Sequence, residues 1–272
     1  MSRPVYLDYA ATTPVDPAVA DLMRFYMVEE FGNAGSRTHE FGNRAKKAVQ
    51  NARQQIANII GCQLDEVIFT SGATESNNIA LLGLRHYAQK EGKKHIISTA
   101  IEHKAVLEPL EYLEREHGFD VELVKPKQSG AVSAKEILSR VREETILVSV
   151  MHVNNETGII QPIEDIAAGL KNSDVYIHVD AAQSFCKIIE PLKNQRIDFI
   201  SVSGHKIYGP KGIGALVTRR RNFRRAPLKP LTFGGGQEYG LRPGTLPVSQ
   251  IVGFGEAASI CSKRVDKNFE KF

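Results

Sequence analysis

Short apolar runs alternate with amphipathic stretches along most of the chain. The runs EVIFT (66–70), KHIIST (94–99), VELV (121–124), TILVSVM (145–151), VYIHVD (175–180), DFISVS (198–203) and GIGALVTR (212–219) are short and rich in β-branched residues. That combination predicts buried strands. Between them, polar and apolar positions recur at helical spacing over 72–89, 103–117, 133–141 and 162–171. Two helices are predicted ahead of the first strand. One spans 16–30 and opens on Asp16-Pro17, a capping residue followed by proline at the first helical position. The other spans 36–60, with Ser36 as its cap, Gly61 after its end, and Ala45, Ala48, Val49, Ala52, Ile56, Ile59 and Ile60 on one face. The closing SKRVDKNFEKF reads as part of a polar helix. Strand–helix alternation of this kind predicts an α/β fold with a mostly parallel sheet covered on both faces. In such sheets ligands bind beyond the carboxyl ends of the strands.

The bulk numbers narrow the partners rather than the fold. The chain has 272 residues, 42% hydrophobic and 24% charged, which suits a soluble domain with a sizeable core. A net charge of +4 is too slight to point to nucleic acid or a membrane surface. No run reaches the ~18–20 apolar residues of a membrane span, and the first residues lack a signal-peptide layout, so a cytoplasmic location is expected. Three cysteines, Cys62, Cys186 and Cys261, with no CxxC pair, argue against a disulfide framework and against a zinc or iron–sulfur site. The densest basic run, Arg219, Arg220, Arg221, Arg224 and Arg225, reads first as a solvated turn after a strand, and second as a surface for an acidic partner.

Several polar residues stand at predicted strand ends. Asp180 closes VYIHVD, with Gln183 three residues on. A carboxylate there needs water or a cation; a helix cap or plain surface aspartate is the alternative. Lys206 follows Ser203, Gly204 and His205 straight after another strand. A lysine beside a glycine turn is usually solvated, but one held in an interior loses its proton readily and becomes a nucleophile toward carbonyls. The following glycines fit neither GxGxxG nor the phosphate loop. Ser71, Gly72, Ala73 and Thr74 form a strand-to-helix turn whose free N–H groups suit an anion. His103 lies just past KHIIST, as a structural histidine, a proton carrier or a ring stacked on a planar ligand. His152, Asn154 and Asn155 follow TILVSVM. No metal is expected: His39-Glu40 lacks a second histidine at zincin spacing, and the eight histidines do not cluster.

In order along the chain stand LDYAATTP, SGATESNN, EHKAV, NNETG, HVDAAQ, SGHKIYGPKGIG and GGGQEYGLRPGT. Together they strongly resemble the cysteine desulfurases, fold-type I pyridoxal-phosphate enzymes of the aminotransferase class V group. The resemblance runs from residue 5 to about residue 260. It implies a three-layer large domain over 16–260, a segment 1–15 that would join a small domain, and 261–272 as the start of a further C-terminal part. It also implies pyridoxal 5′-phosphate as cofactor. Lys206 would bind it covalently, Asp180 would pair with the pyridine nitrogen and Gln183 would hydrogen-bond the phenolic oxygen. His103 would lie over the ring and help move protons. Ala73, Thr74, Ser203 and His205 would hold the phosphate, with Thr245 reaching a phosphate from the other subunit of a homodimer. Asn155 would sit near the cofactor's oxygen and the substrate.

The implied reaction takes L-cysteine to L-alanine and passes sulfur to a cysteine persulfide and then to an acceptor protein. Iron–sulfur assembly, tRNA thiolation and DNA sulfur modification are all open as destinations. A selenocysteine lyase and a non-catalytic cofactor-binding or dimerising fragment are the alternatives. In the family the nucleophilic cysteine sits on a mobile loop further toward the C-terminus, followed by an arginine for the substrate carboxylate. None of Cys62, Cys186 or Cys261 stands in that context. The chain therefore reads as C-terminally truncated, expected to bind the cofactor yet turn over cysteine poorly by itself.

Overall fold

The computed structural model describes residues 4–269. Residues 1–3 and 270–272, parts of the predicted N-terminal segment and closing helix, lie outside the described residues. Seven strands form one sheet: β1 (Val67–Thr70), β2 (His95–Thr99), β3 (Asp120–Val124), β4 (Thr145–Met151), β5 (Tyr176–Asp180), β6 (Phe199–Ser203) and β7 (Gly214–Thr218), in the order β1-β7-β6-β5-β4-β2-β3. All seven predicted strands are present. β3, β2, β4, β5 and β6 run parallel, whereas β7 is antiparallel to both β6 and β1. The reversal has a simple cause. The other neighbours are joined by crossovers, but β6 and β7 are joined only by 204–213, too short for the crossover that a parallel pair needs. Ser203 consequently sits opposite Gly214, and the whole connection, Lys206 included, lies over the strand ends.

Helices α1 (Pro17–Val28), α2 (Glu40–Ile60) and α8 (Val248–Phe269) pack together on one face, with α6 (Ala134–Ser139) and α7 (Ile163–Gly169) on the same side. Helices α3 (Ala73–Gly83), α4 (Arg85–Lys90) and α5 (Lys104–His117) cover the other. α8 passes through residue 260 without a break. Among the described residues no helix is long and apolar enough to cross a membrane.

Three details depart from the sequence expectation. The predicted helix 72–89 divides at Leu84. There the backbone of 228–229 crosses so close that a Cβ on Gly83 would lie 3.1 Å from the Lys229 carbonyl oxygen, and Lys229 N–H donates to Gly83 O at 3.0 Å. Second, α2 begins at Glu40. Its cap is His39, whose Nδ1 accepts from Gly42 N–H at 3.2 Å, while Ser36 packs behind the first turn, 2.4 Å from where a Cβ on Gly42 would stand. Third, the arginine run is not simply a solvated turn. Arg219 is buried and donates to the carbonyls of Ile60, Leu192, Asn194 and Ile197 at 2.9–3.2 Å. Arg221 binds Asp198, while Arg220 and Arg225 bind Asp65. The run spends most of its charge closing the far end of the sheet.

A buried ion pair fixes the long connection between β7 and α8. Arg53 meets both oxygens of Glu238, at 2.6 and 2.8 Å, and Phe69 N–H donates to the same carboxylate at 2.6 Å. Both side chains are at most 3% exposed. Glu238 and Tyr239 adopt positive φ (47° and 58°), so the turn holds a backbone that residues with a Cβ rarely take. Removing one member leaves a buried charge unpaired. Arg53→Met is therefore expected to cost about 3–5 kcal/mol in urea unfolding, and adding Glu238→Gln should recover part of that loss.

Candidate functional site

At the carboxyl ends of β1, β4, β5 and β6 lies a cavity of about 840 Å³, lined by Ser71–Thr74, Asn77, His103, Met151, Asn155, Asp180, Gln183, Ser203, His205 and Lys206. Nine of the ten residues singled out from sequence border it: Ala73, Thr74, His103, Asn155, Asp180, Gln183, Ser203, His205 and Lys206. Thr245 does not. It is solvent-exposed on the connection that Glu238 anchors.

Asp180 ends β5 with its carboxylate buried. Oδ1 accepts Ala182 N–H at 2.9 Å, and Oδ2 accepts the Asn77 side-chain amide at 2.7 Å. Burial raises its pKa; the two hydrogen bonds, His103 and Lys206 pull it back down. Each oxygen retains a lone pair toward the cavity. The Oδ1 of Asn77 is buried and has no partner of its own.

Lys206 is half-buried on the short turn after β6 and donates to the Ala10 carbonyl, which also accepts from Gln183 Nε2 at 2.9 Å. Burial lowers its pKa against the opposing pull of Asp8 and Asp180, so the amine is more easily neutral than a surface lysine. His205 bonds Thr12 Oγ1 at 3.1 Å, and burial, Lys206 and Lys211 depress its pKa. His103 caps α5, its Nδ1 accepting Ala105 N–H at 3.0 Å. The neutral ring therefore carries its hydrogen on Nε2.

The start of α3 faces the same space. Gly72 has φ 154°, and β7 passes so close that a Cβ on Gly214 would lie 2.7 Å from Gly72 Cα and 2.4 Å from Val202 O. Only glycine lets the turn settle against the sheet there. The unpaired N–H groups of the first helical turn then point to the mouth with Thr74 and Ser203 beside them.

Two expectations need adjusting. Asn154 turns inward: its Oδ1 accepts from Glu156 N–H, Thr157 N–H and Thr157 Oγ1–H, and its amide donates to Ile101 O. His152 is wholly buried and stands off the cavity, with its pKa lowered to about 4 by burial. Sequence reasoning also passed over Asp8, Ala10, Thr12 and Asn77, although LDYAATTP and SGATESNN were the signals that carried them.

These residues fit a phosphorylated pyridine aldehyde. A helix start suits the phosphate, a buried carboxylate suits a protonated ring nitrogen, and a readily neutral lysine suits the aldehyde. The fold and site together define a pyridoxal-phosphate enzyme. The Aminotransferase class-V pattern matches residues 5–271, and the chain belongs to that family, whose enzymes use pyridoxal 5′-phosphate. Over its full length the chain is 49% identical to the cysteine desulfurase IscS of Escherichia coli (strain K12 / DH10B), spanning 67% of that protein. The crystal structure of DndA from Streptomyces lividans superposes with a TM-score of 0.88 at 55% identity, covering 97% of this chain and 74% of that one. SspA in complex with cysteine superposes with a TM-score of 0.87 at 43% identity, covering 99% and 77%.

Glu102, next to His103, supplies a pH test of the site's floor. Its Oε1 accepts from Thr99 Oγ1–H at 2.7 Å and Met151 N–H at 2.8 Å, and burial lifts its pKa from 4.5 to about 8. The unfolded carboxyl ionises near 4.5, so between 4.5 and about 8 the folded chain holds more proton and stability falls as pH rises. Glu102→Gln is expected to flatten that fall by up to about 1.4 kcal/mol per pH unit, as read by denaturation at pH 5, 6 and 7.

Proposed function

We propose that this chain carries the cofactor-binding and substrate-activating half of an L-cysteine desulfurase. The observation that carries the reading is the convergence of Asp180, Lys206 and the α3 start on one cavity in a chain of this family. SspA, a similar structure, holds cysteine. The net reaction is cysteine plus a thiol giving alanine plus a persulfide: the C–S bond breaks, an S–S bond forms, and the carbon gains a proton.

Bound at this site, pyridoxal phosphate supplies an electron sink conjugated to the substrate amine. The chain's residues do the rest. Asp180 keeps a negative charge against the ring nitrogen, with Asn77 and Ala182 N–H fixing its direction. Lys206 would hold the cofactor and would hold or move a proton at Nζ. His103, its tautomer set by Ala105, would offer Nε2–H to the cavity as a proton carrier. Gln183 would hydrogen-bond the phenolic oxygen, and Asn155 would sit near that oxygen and the substrate. Ala73, Thr74, Ser203 and His205 bind the phosphate. The thiol that takes the sulfur is supplied from outside this cavity, because none of Cys62, Cys186 and Cys261 borders it.

The working form in this reading is a homodimer in the cytoplasm, with Thr245 serving the partner's phosphate. Support comes from the exposed position of Thr245 and from a groove of about 760 Å³ beside the site. That groove runs from Thr74, His103 and Ala105 to Leu231 and to Phe233, which is 90% exposed. Sulfur delivery to an acceptor protein, including one serving iron–sulfur assembly, follows from the same reading.

Borohydride reduction of the yellow protein is expected to label a single peptide containing Lys206. A label on any other peptide, or none after cofactor is supplied, would refute the assignment. Asp180→Asn should keep the cofactor but slow alanine release by at least ~10²-fold, since an amide cannot balance a ring cation; an unchanged rate removes Asp180 from its role. Light scattering should give twice the chain mass, and a monomer that binds cofactor tightly would refute the shared site.

A further inference from the structure

Away from the cavity, two cysteines meet. Cys186 lies on the turn that follows Gln183, fully buried and at φ 59°, a conformation unusual for a residue with a Cβ. Its Sγ rests 3.8 Å from Ala258 O on α8. One helical turn further along α8, Cys261 places its Sγ 3.4 Å from Cys186 O. Each sulfur therefore rests on a carbonyl of the other's segment, which brings the two cysteines side by side across the contact between the turn and α8. Cys261 is partly exposed and borders a cavity of about 260 Å³ with Asp16, Ile207, Tyr208 and Arg264.

The two sulfurs differ in character. The neighbouring Cys186 side chain, with the positive charge of Lys187 and Arg264, lowers the Cys261 pKa against the effect of burial. Burial raises that of Cys186. One sulfur is thus partly exposed and the more acidic, and the other is a buried thiol beside it, the pairing that redox-sensitive cysteines require. Cys62 supplies the contrast: burial pushes its pKa up to about 12.

We propose that Cys186 and Cys261 form an oxidisable dithiol, which hydrogen peroxide converts to an intrachain disulfide fastening α8 to the turn after β5. The Cys261 thiolate attacks the peroxide oxygen, so that an S–O bond forms, the O–O bond breaks, and the departing hydroxide takes a proton. Cys186 Sγ then attacks the Cys261 sulfur. An S–S bond forms, the S–O bond breaks, and water leaves with the Cys186 proton. In sum two thiols and one peroxide give one disulfide and two waters. The bridge would close a loop of 75 residues (261 − 186), which restricts the unfolded chain. It would also hold α8 against the turn of Lys206, since Phe254 and Ala257 already lie within 3.2 Å of where Cβ atoms on Gly204 and Gly209 would stand.

The test is to treat the cofactor-loaded protein with hydrogen peroxide, denature it, alkylate free thiols and map the non-reduced digest. Two of the three thiols should disappear. The Cys186 and Cys261 peptides should be found joined, Cys62 should be alkylated, and the melting temperature should rise by roughly 5 °C until dithiothreitol is added. In Cys186→Ser, dimedone should trap a sulfenic acid on Cys261. A bridge through Cys62, a disulfide between chains, over-oxidised Cys261 beside free Cys186, or three unreacted thiols would each overturn the proposal. The mapping uses the unaltered chain, so it decides the matter even if Cys186→Ser fails to fold.

Discussion

The site depends on keeping a carboxylate charged inside a protein. Asp180 stands at the end of a buried strand where an isolated anion would take up a proton. Burial leaves its pKa raised, and the Ala182 N–H, Asn77 and the neighbouring His103 and Lys206 limit that rise. Asn77 belongs to α3, the helix whose start faces the cavity. The geometry that serves the carboxylate therefore also aims the anion-binding end of that helix. The glycine contact between Gly72 and Gly214 sets how closely helix and sheet can approach.

The second constraint is the reversal between β6 and β7. A crossover there would have carried the chain away over one face of the sheet. The short return keeps Ser203, His205 and Lys206 above the strand ends, and Thr13 N–H and Thr13 Oγ1–H both reach the His205 carbonyl, at 2.9 and 3.0 Å. The lysine is held from both sides by backbone rather than by long flexible side chains, which is the support a positioned nucleophile needs.

Much of this was legible in the sequence. Strands announced themselves because parallel, doubly covered strands read as unbroken apolar runs, and Asp180 and Lys206 stood out as polar residues straight after such runs. What stayed hidden depended on contacts distant in sequence. The break at Leu84 is imposed by Lys229, and the cap of α2 passed from Ser36 to His39 because Ser36 is packed behind Gly42. The antiparallel β7 follows from a connection length that composition does not reveal. Asn77 looked like any polar helix residue, since its importance comes only from Asp180, 103 positions away. The arginines after β7 misled because charge density was visible and the acceptors of Arg219, carbonyls at Ile60 and in the segment from Leu192 to Ile197, were not.

The contact between the N-terminal segment and the lysine turn also bears on how the protein is made. Thr13 leaves the ribosome 192 residues before its acceptor, His205. During that interval the leading segment lacks the lysine turn that holds it. At a translation speed of about 20 residues per second, the delay approaches ten seconds. Closure over the cavity must therefore come late in folding, after the sheet has been completed through β6. A nascent chain stalled just short of residue 205 would hold the parallel strands but neither β7 nor α8, with its leading segment still loose, a form suited to capture by chaperones.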